Sequence, residues 1–475
     1  MKHHSVLESH DPIYALATPY GRSALAVLRV SGEGCVEAIA TVFSRPAALN
    51  DCVGNELIYG HLHELSSSSA PGTPDAKGGN APTKAIDEVV LAVYRTPRSY
   101  TGEDSVEIMC HGSPAGIERI FGVLADLGMR PAEAGEFTRR AFLSGKLDLT
   151  QAEAIQELVE AETGTAHALA LNRLSGGLSQ RIESAKQRLI DLMAAVSIQL
   201  DYPEEDTGHV ELPAGEVDAV RAELQILADS FRIGRVFREG ASIALAGRTN
   251  AGKSSLFNLL LREDRAIVSS EAGTTRDYLE ARLDIEGVPV RLLDTAGLRL
   301  SASEIENEGM RRSRDLMSNV DLVLYLVDAA EGPNQEDLGF IAELEAEGRC
   351  VVVHTKRDLL AAGASVASQG EEPILLSSVS GEGLGDLHAV LVRRLVPGEH
   401  TDTEAVVIDS RRHRDLLLQA VAALEQVQSG LVSGTPFDLV AVDLQEALQS
   451  LGEITGEVAS SEILERMFGS FCVGK

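Results

Sequence analysis

The sequence predicts a multidomain protein with an α+β first domain, a helical domain that is discontinuous in sequence, and an α/β domain inserted between the two helical parts. Three observations predict this. Short apolar runs separated by glycine and proline fill the beginning of the chain, helical periodicity follows, and that periodicity returns after a strand-rich block. We therefore expect segments at residues 1–147, 148–240, 241–396 and 397–475, of which the second and fourth form the helical domain.

The first segment mixes strands with helices. Residues 24–30 and 89–94 are short apolar runs bounded by turn residues, which is typical of strands. Residues 66–82 are polar and of low complexity, so they contain too little apolar surface to order themselves, and we expect a surface loop there.

The helical segments lie on both sides of the strand-rich block. Residues 151–161 are rich in strong helix formers, with apolar residues three and four apart. Gly176 and Gly177 predict a break before the next helix. The further predicted helices are residues 181–200, 412–429 and 438–452.

Composition restricts the class of protein. Seventy-two acidic against 42 basic residues give a formal charge of −30, which disfavours binding of a nucleic-acid backbone by the whole surface. The five cysteines have no C-x-x-C pairing, which disfavours a disulfide framework or a zinc site. No apolar run is long enough to span a membrane, so we expect a cytoplasmic protein with no membrane partner.

The inserted segment contains the strongest chemical motif. Residues 241–246 have the pattern of a buried strand, and residues 247–254, GRTNAGKS, follow directly before a helical stretch. This is the phosphate-binding P-loop in its required context between a strand and a helix. Its backbone N–H groups would face phosphates, Lys253 would place a cation on their outer oxygens, and the Ser254 hydroxyl would ligate Mg²⁺.

Four further motifs follow in the order that a guanine-nucleotide switch requires. Residues 273–277, GTTRD, offer hydroxyls to a metal, and Asp294 begins DTAG at the end of a predicted strand. Residues 355–358, TKRD, resemble the base-reading N-K-x-D of GTPases, and residues 377–379, SSV, resemble the fifth GTPase motif. Thr355 stands where asparagine is usual, as in Rho-type GTPases, so we expect weaker positioning of this loop and no change of base.

The water-orienting glutamine of Ras-like switches is missing after DTAG, because Leu298 and Arg299 follow. Another group must therefore orient the attacking water and offset the developing charge. Glu304 or Glu306 could orient the water, with a monovalent cation in place of an arginine finger. The alternative is that these glutamates form a solvated acidic face.

Beyond the nucleotide motifs, nearly the whole chain resembles the MnmE (TrmE) family of tRNA modification GTPases. The resemblance outside those motifs rests on residues 17–22, 100–104, 135–142 and 146–155 and on the cysteine-bearing tail, residues 470–475. It implies a tetrahydrofolate-binding and dimerisation domain, a helical domain and an inserted Ras-like G domain, in agreement with the predicted arrangement. It also implies a homodimer.

The resemblance implies a function. Family members work with a flavin-containing partner, MnmG (GidA), whose cofactor is FAD, to install a carboxymethylaminomethyl or aminomethyl group on carbon five of the wobble uridine of certain tRNAs. A tetrahydrofolate derivative supplies the one-carbon unit. GTP is the hydrolysed substrate, Mg²⁺ and K⁺ are the metals, and hydrolysis is activated by potassium-dependent dimerisation of the G domains.

The resemblance also assigns site residues. Folate would contact Arg29, Glu107, Lys146 and Lys475, and the water-orienting catalytic carboxylate would be Glu306. Magnesium would be bound by Ser254 and Thr275, and potassium by Asn250, Ser269, Glu271 and Thr274. The GTP-binding residues would be Asn250, Ala251, Gly252, Lys253, Ser254, Ser255, Ser269, Ser270, Glu271, Ala272, Gly273, Thr274, Thr275, Asp294, Thr295, Ala296, Gly297, Thr355, Lys356, Arg357, Asp358, Ser377, Ser378 and Val379.

Cys472 is the fourth residue from the end of the sequence, as in a prenylation signal, but Gly474 and Lys475 do not fit that signal. Residues 461–468 predict a helix that would present the tail from a fixed stem. Lys475 would favour the nucleophilic thiolate. We expect Cys472 to lie near Arg29 and Lys146 and to act catalytically in the modification; the alternatives are that it only shapes the pocket, or that it is an incidental thiol in a mobile tail.

Two other functions remain open from sequence. A GTP-driven switch that binds the ribosome without covalent chemistry would leave the first-domain motifs and the tail unexplained. A free-standing folate-dependent aminomethyltransferase would leave GTP unexplained.

Overall fold

The structure is a computed structural model, and it describes residues 11–65, 84–201, 214–266, 279–294, 319–360, 373–397 and 406–475. The strands are β1 (Ile13–Leu16), β2 (Ser23–Ser31), β3 (Glu56–His63), β4 (Ala85–Tyr94), β5 (Ser105–Gly112), β6 (Arg130–Pro131), β7 (Ala241–Gly247), β8 (Arg265–Ala266), β9 (Leu279–Ile285), β10 (Val288–Asp294), β11 (Leu322–Asp328), β12 (Cys350–Thr355) and β13 (Ile374–Leu375).

The helices among the same residues are α1 (Cys35–Ala40), α2 (Pro46–Asn50), α3 (Pro114–Asp126), α4 (Glu136–Leu143), α5 (Leu149–Glu160), α6 (Gly164–Leu174), α7 (Gly177–Asp201), α8 (Ala214–Asp229), α9 (Phe231–Glu239), α10 (Lys253–Glu263), α11 (Gln335–Ala346), α12 (Leu384–Leu395), α13 (Arg411–Ser433), α14 (Phe437–Thr455) and α15 (Ser461–Phe468). Each helix and strand predicted above is present. The predicted loop at 66–82 falls within residues 66–83, which lie outside the described ranges.

Two compact units divide the chain: Met1–Ala152 together with Thr455–Lys475, and Glu153–Ile454. The first unit contains a sheet of order β3-β4-β5-β2-β1-β6, antiparallel except for the β1–β6 pair. One face of this sheet packs against α1 and α3 through alternating apolar residues such as Leu28, Val30, Leu91 and Ile108.

The tail belongs to the first unit. Leu464 and Phe468 of α15 pack with Leu149 and with Phe471, which is 5% exposed. The start of α15 is capped by Ser460, whose hydroxyl accepts a hydrogen bond from the Ile463 N–H at 3.4 Å. Burial of these apolar side chains fixes the stem that the sequence predicted.

In the second unit, α7, α8, α13 and α14 share one apolar core. This four-helix core therefore joins helices that precede the strand-rich segment with helices that follow it. The chain leaves this core after Ser230 and returns to it at Ile408, and the two places are in contact, because the Ile408 N–H donates to Ser230 Oγ at 3.1 Å. A Cβ on Gly234 would lie 2.1 Å from the Ile408 carbonyl oxygen, so only glycine allows this close approach.

The strand-rich segment forms a sheet of order β13-β12-β11-β7-β10-β9-β8. Strands β13, β12, β11, β7 and β10 are parallel, while β9 and β8 form the antiparallel edge. The central strand β7 is buried on both faces, which explains its unbroken apolar run. In such a sheet the ligand site lies at the carboxyl ends of the parallel strands.

Across the described ranges, no helix combines the length and the apolar character that a membrane span requires.

Candidate functional site

The P-loop connects the carboxyl end of β7 to α10. Gly247 has φ +129°, and a Cβ there would lie 2.3 Å from the Leu326 carbonyl oxygen on β11. Gly252, the residue before α10, has φ +94°, and it provides no side-chain cap for the helix. The first N–H groups of α10 therefore have no capping side chain, and with the helix dipole they favour an anion such as phosphate.

The side chains of the loop support this interpretation. Lys253 Nζ donates to the carbonyl oxygens of Gly247 at 2.7 Å and Arg248 at 2.8 Å, which holds the cation inside the loop. Ser254, Ser255 and Asn250 are exposed, and Asn250 adopts φ +65°. Ser254 is therefore accessible for the predicted magnesium ligation.

Asp294 is the last residue of β10, beside the P-loop strand. It pairs in register with Leu245 of β7, two residues before Gly247. Its side chain is 3% exposed. The predicted strand-end carboxylate is thus adjacent to the phosphate-binding loop, as nucleotide switches require.

The predicted base-reading loop follows β12. Lys356 has φ +59°, and its Nζ lies 2.6 Å from Asp328 Oδ2, which lowers the pKa of Asp328. The Ser377 hydroxyl donates to Asp358 Oδ1 at 2.6 Å, so the fourth and fifth predicted motifs are hydrogen-bonded. Asp358 is exposed, in a single 3₁₀ turn formed by Arg357–Leu359.

Thr355 connects the two loops. Its Oγ1 donates to the Ala251 carbonyl oxygen at 2.7 Å and lies 3.2 Å from that of Val327. The residue is 1% exposed. The threonine therefore connects the predicted base-reading loop to the P-loop by a buried hydrogen bond. The two loops are thus connected even though threonine replaces the usual asparagine.

A second candidate site lies in the first unit. Arg29 Nη2 lies 2.9 Å from Glu107 Oε1, a cross-strand pair on β2 and β5. The Arg29 guanidinium lies 5.2 Å from the ring centroid of Tyr100 and 5.7 Å from that of Phe137. Sequence reasoning missed these two aromatic residues, although both fall in the motifs at 100–104 and 135–142.

The tail meets this second site. Arg29 Nη1 donates to the Gly474 carbonyl oxygen at 3.3 Å. The Gly135 N–H donates to the Cys472 carbonyl oxygen at 3.4 Å, and the Phe137 N–H donates to that of Lys475 at 3.2 Å. Arg29 thus contacts the tail two residues after Cys472, these bonds argue against a mobile tail, and the proximity of the Cys472 thiol to Arg29 and Lys146 stays a prediction. Lys146 lies in the turn after α4, where a Cβ built on Gly102 would be 3.7 Å from its Cε.

Buried charges stabilise residues 133–137, whose backbone N–H groups bind the tail. Glu136, at the start of α4, is 1% exposed. Burial alone would raise its pKa, but hydrogen bonds from Arg130, the Glu133 N–H and Arg140 lower the pKa of Glu136 to about 2. Glu136 is therefore ionised and holds residues 133–137 for the tail.

Cys472 is exposed, whereas the other four cysteines, Cys35, Cys52, Cys110 and Cys350, are buried. Burial raises the pKa of the Cys35 and Cys350 thiols to about 12, and that of Cys110 to about 11. These three are protonated near neutral pH and are poor nucleophiles.

A buried ion cluster connects α5 and α6 with the segment before α13. Arg173 Nη2 lies 2.6 Å from Glu157 Oε2, and its Nη1 donates to Asp409. Burial, and then the nearby Asp409 charge, raise the pKa of Glu157 to about 8. No sequence signal identified this cluster.

Several predicted site residues lie outside the described ranges. They are Ser269, Ser270, Glu271, Ala272, Gly273, Thr274, Thr275, Thr295, Ala296, Gly297 and Glu306, so their predicted roles in binding GTP, magnesium and potassium and in orienting water stay predictions.

Comparison with known proteins decides the family. The tRNA modification GTPase MnmE of Treponema denticola is 41% identical over 482 residues, which cover 98% of this chain and 98% of that protein. The chain belongs to the MnmE family of tRNA modification GTPases. The family model for the MnmE helical domain matches residues 149–472, and that for the N-terminus of the GTP-binding protein TrmE matches residues 12–146.

Other MnmE proteins are almost as similar. That of Borrelia recurrentis is 39% identical over 99% of both chains. Among solved structures, the G domain of the Thermotoga maritima FeoB iron transporter is 28% identical and covers 32% of this chain and 98% of its own, with a TM-score of 0.25. Since this score is low, the assignment to the MnmE family rests on the full-length relatives and the two family models.

Proposed function

We propose that this chain hydrolyses GTP and, with the flavoprotein MnmG (GidA), takes part in adding a carboxymethylaminomethyl or aminomethyl group to carbon five of the wobble uridine of certain tRNAs. One observation carries the GTPase part. The P-loop, the Asp294 strand end and the Asp358 loop converge at one edge of a parallel sheet, with Thr355 hydrogen-bonded to Ala251. Membership of the MnmE family supports the tRNA part.

The proposed domains are 1–147 for folate binding and dimerisation, 148–240 and 397–475 for the helical domain, and 241–396 for the inserted G domain. The shared core of α7, α8, α13 and α14 supports the insertion. The proposed location is the cytoplasm, and the proposed assembly is a homodimer that joins MnmG.

In the G domain, each group would have a distinct task. The N–H groups at the start of α10 would bind phosphate oxygens, and Lys253 would neutralise their charge. Ser254 suits a magnesium ion because its side chain is accessible at that helix start. Asp358 would accept the two guanine N–H groups, and Asp294 would stand beside the reacting phosphate.

In the first domain, the proposed ligand is a tetrahydrofolate derivative, which would supply the one-carbon unit. The site suits it chemically, because Glu107 offers carboxylate oxygens to ring N–H groups, Tyr100 offers an aromatic face, and Arg29 offers a cation. Lys146 and Lys475 are the further proposed contacts. Cys472, two residues before the Gly474 carbonyl oxygen that accepts a hydrogen bond from Arg29, would act on the uridine ring, where attack at carbon six makes carbon five reactive.

A tRNA nucleoside digest tests the function. Deleting the gene should remove the modified wobble uridine, and returning this chain on a plasmid should restore it. The control is the same complementation with the Lys253→Ala chain, which should fail because GTP is no longer bound productively. Unchanged wobble uridine in the deletion strain would refute the tRNA function, even if the purified protein hydrolyses GTP.

The proposed activation uses potassium, through Asn250 and residues 269–274, together with water orientation by Glu306. A cation near the phosphates stabilises the charge that an arginine finger would offset. Replacing potassium by sodium at fixed ionic strength should slow turnover about 100-fold, and Glu306→Ala should retain GTP binding with a similar loss in hydrolysis rate. Glu304→Ala is the matched control, since it should hydrolyse normally. Equal rates in the two salts would refute potassium activation.

A further inference from the structure

The hairpin β9–β10 is connected by sequence to both predicted nucleotide-sensing segments. Strand β9 begins at Leu279, directly after residues 267–278, and β10 ends at Asp294, directly before residues 295–299. The two strands are paired along their whole length, from Leu279 with Asp294 to Ile285 with Val288. A displacement of either segment would therefore move the same pair of hydrogen-bonded strands. The other end of this pair is the turn at Glu286 and Gly287.

That turn contacts the beginning of helix α6. Gly287 has φ +88°, and a Cβ placed on it would lie only 2.5 Å from Thr165 Oγ1. Thr165 is the second residue of α6, whose cap is Thr163: its Oγ1 accepts from the Ala166 N–H at 3.2 Å. Arg282 of β9 donates a hydrogen bond to Glu162, immediately before the cap. The hairpin thus holds the start of α6 at two places.

The contact extends into the core. Ala166 and Leu169 of α6 are buried in the same apolar cluster as Leu283, Ile285 and Val290 of the hairpin. Because these side chains share one apolar core and protein interiors are close-packed, we expect a shift of the hairpin to displace the helix. Helix α6 therefore packs with the G-domain strands, although sequence periodicity groups it with the helical domain.

The other end of α6 leads to the four-helix core. Arg173, in the last turn of α6, pairs with Asp409, two residues before α13 begins. Gly176, with φ +90°, then connects α6 to α7. Helix α6 is a rigid rod of about 16 Å, from 11 residues at 1.5 Å rise, between the hairpin and the four-helix core.

We propose that α6 is the output element of the nucleotide switch: movement of the hairpin between the GDP and GTP states is transmitted through Gly287–Thr165 and Arg282–Glu162 to α6, and by α6 to the four-helix core. This inference rests on the proposed GTPase function. It assigns a positioning role to Glu162, Thr165 and Gly287, none of which belongs to the nucleotide motifs.

The test is hydrogen exchange of the α6 backbone amides in the full chain, with GDP and with a non-hydrolysable GTP analogue. We expect α6 exchange rates to differ about fivefold or more between the two states, the lower end of ordinary coupling strengths. Gly287→Ala should bring this ratio close to one, because its Cβ displaces Thr165, while GTP hydrolysis stays near the parent rate. Gly348→Ala is the matched control: Gly348 has φ +68°, but a Cβ there would meet no atom within 4 Å, so the ratio should persist.

A charge reversal provides a second test that does not strain the backbone. Glu162→Arg should reduce the exchange ratio, and Glu162→Arg combined with Arg282→Glu should restore it. The inference is overturned if α6 exchanges alike in both states of the parent, or if Gly287→Ala keeps the parent ratio. In either case GTP hydrolysis by the parent would leave the proposed function standing, whereas a parent that neither binds nor hydrolyses GTP would refute both.

Discussion

Asp358→Asn should change the base preference of the protein from guanine to xanthine nucleotides. The Asp358 carboxylate offers two acceptor oxygens, which suit the ring N–H and the exocyclic amine of guanine. An asparagine amide would present an N–H to the guanine amine, and donors facing donors leave both groups without a partner. Xanthine has a carbonyl in place of that amine, so the amide can donate to it. We expect GTP affinity to fall about 100-fold or more and xanthosine triphosphate to bind in its place.

Competition binding with GTP, xanthosine triphosphate and ATP measures this change. Glu382→Gln is the matched control, because Glu382 pairs with Arg357 of the same loop at 3.0 Å and is not one of the base-reading residues. It should keep the parent preference. If ATP competes with GTP at similar concentration in the parent, the buried Thr355 bond does not hold the loop for guanine, and the base assignment is wrong.

Cys472→Ser should abolish the modified wobble uridine while GTP turnover and folate binding remain near parent values. The reason is chemical, since a hydroxyl is far less nucleophilic than a thiolate at neutral pH. The serine is nearly isosteric, and backbone carbonyl oxygens of the tail accept hydrogen bonds from the Gly135 N–H, the Phe137 N–H and the Arg29 guanidinium, which the substitution leaves in place. A loss of about 1000-fold or more in modification rate is expected for a missing nucleophile.

The digest of tRNA nucleosides reports this loss. Val473→Ala is the control, because the Val473 side chain is 59% exposed and its contact with Ala134 is a backbone bridge. Full modification by Cys472→Ser would make the thiol incidental. Loss of GTP turnover in the same variant would assign the tail a structural role instead.

Local sequence predicted well the strands and the helix that flank the nucleotide motifs, because these elements are strongly patterned. The unbroken apolar run at residues 241–246 predicted a strand buried on both faces, and the glycines at 247 and 252 predicted a tight loop before a helix. The structure has the strand and the helix at these positions. The effect of Thr355, which stands where asparagine is usual, could not be predicted from the sequence. Its hydrogen bond to Ala251 spans 104 residues, and no pattern near Thr355 predicts it.

Contacts between distant segments could not be predicted. Arg173 and Asp409 are 236 residues apart, and each has the appearance of an ordinary surface charge in its own helix or loop. Helix α6 has a helical pattern, but which core it joins depends on the fold of strands that follow it by more than 100 residues. Tyr100 and Phe137 lie in the family motifs at 100–104 and 135–142, yet only the fold brings both rings to Arg29.

The hydrogen bond between the Ile408 N–H and Ser230 Oγ has a consequence for domain insertion and deletion. The two ends of the intervening piece emerge side by side, as the ends of an ordinary surface loop do. A domain whose termini lie close together can be inserted into another domain without distorting it. The same domain can also be removed and replaced by a short linker. Because the chain leaves the four-helix core at Ser230 and returns to it at Ile408, a short peptide could in principle join these two residues without separating the helices of that core.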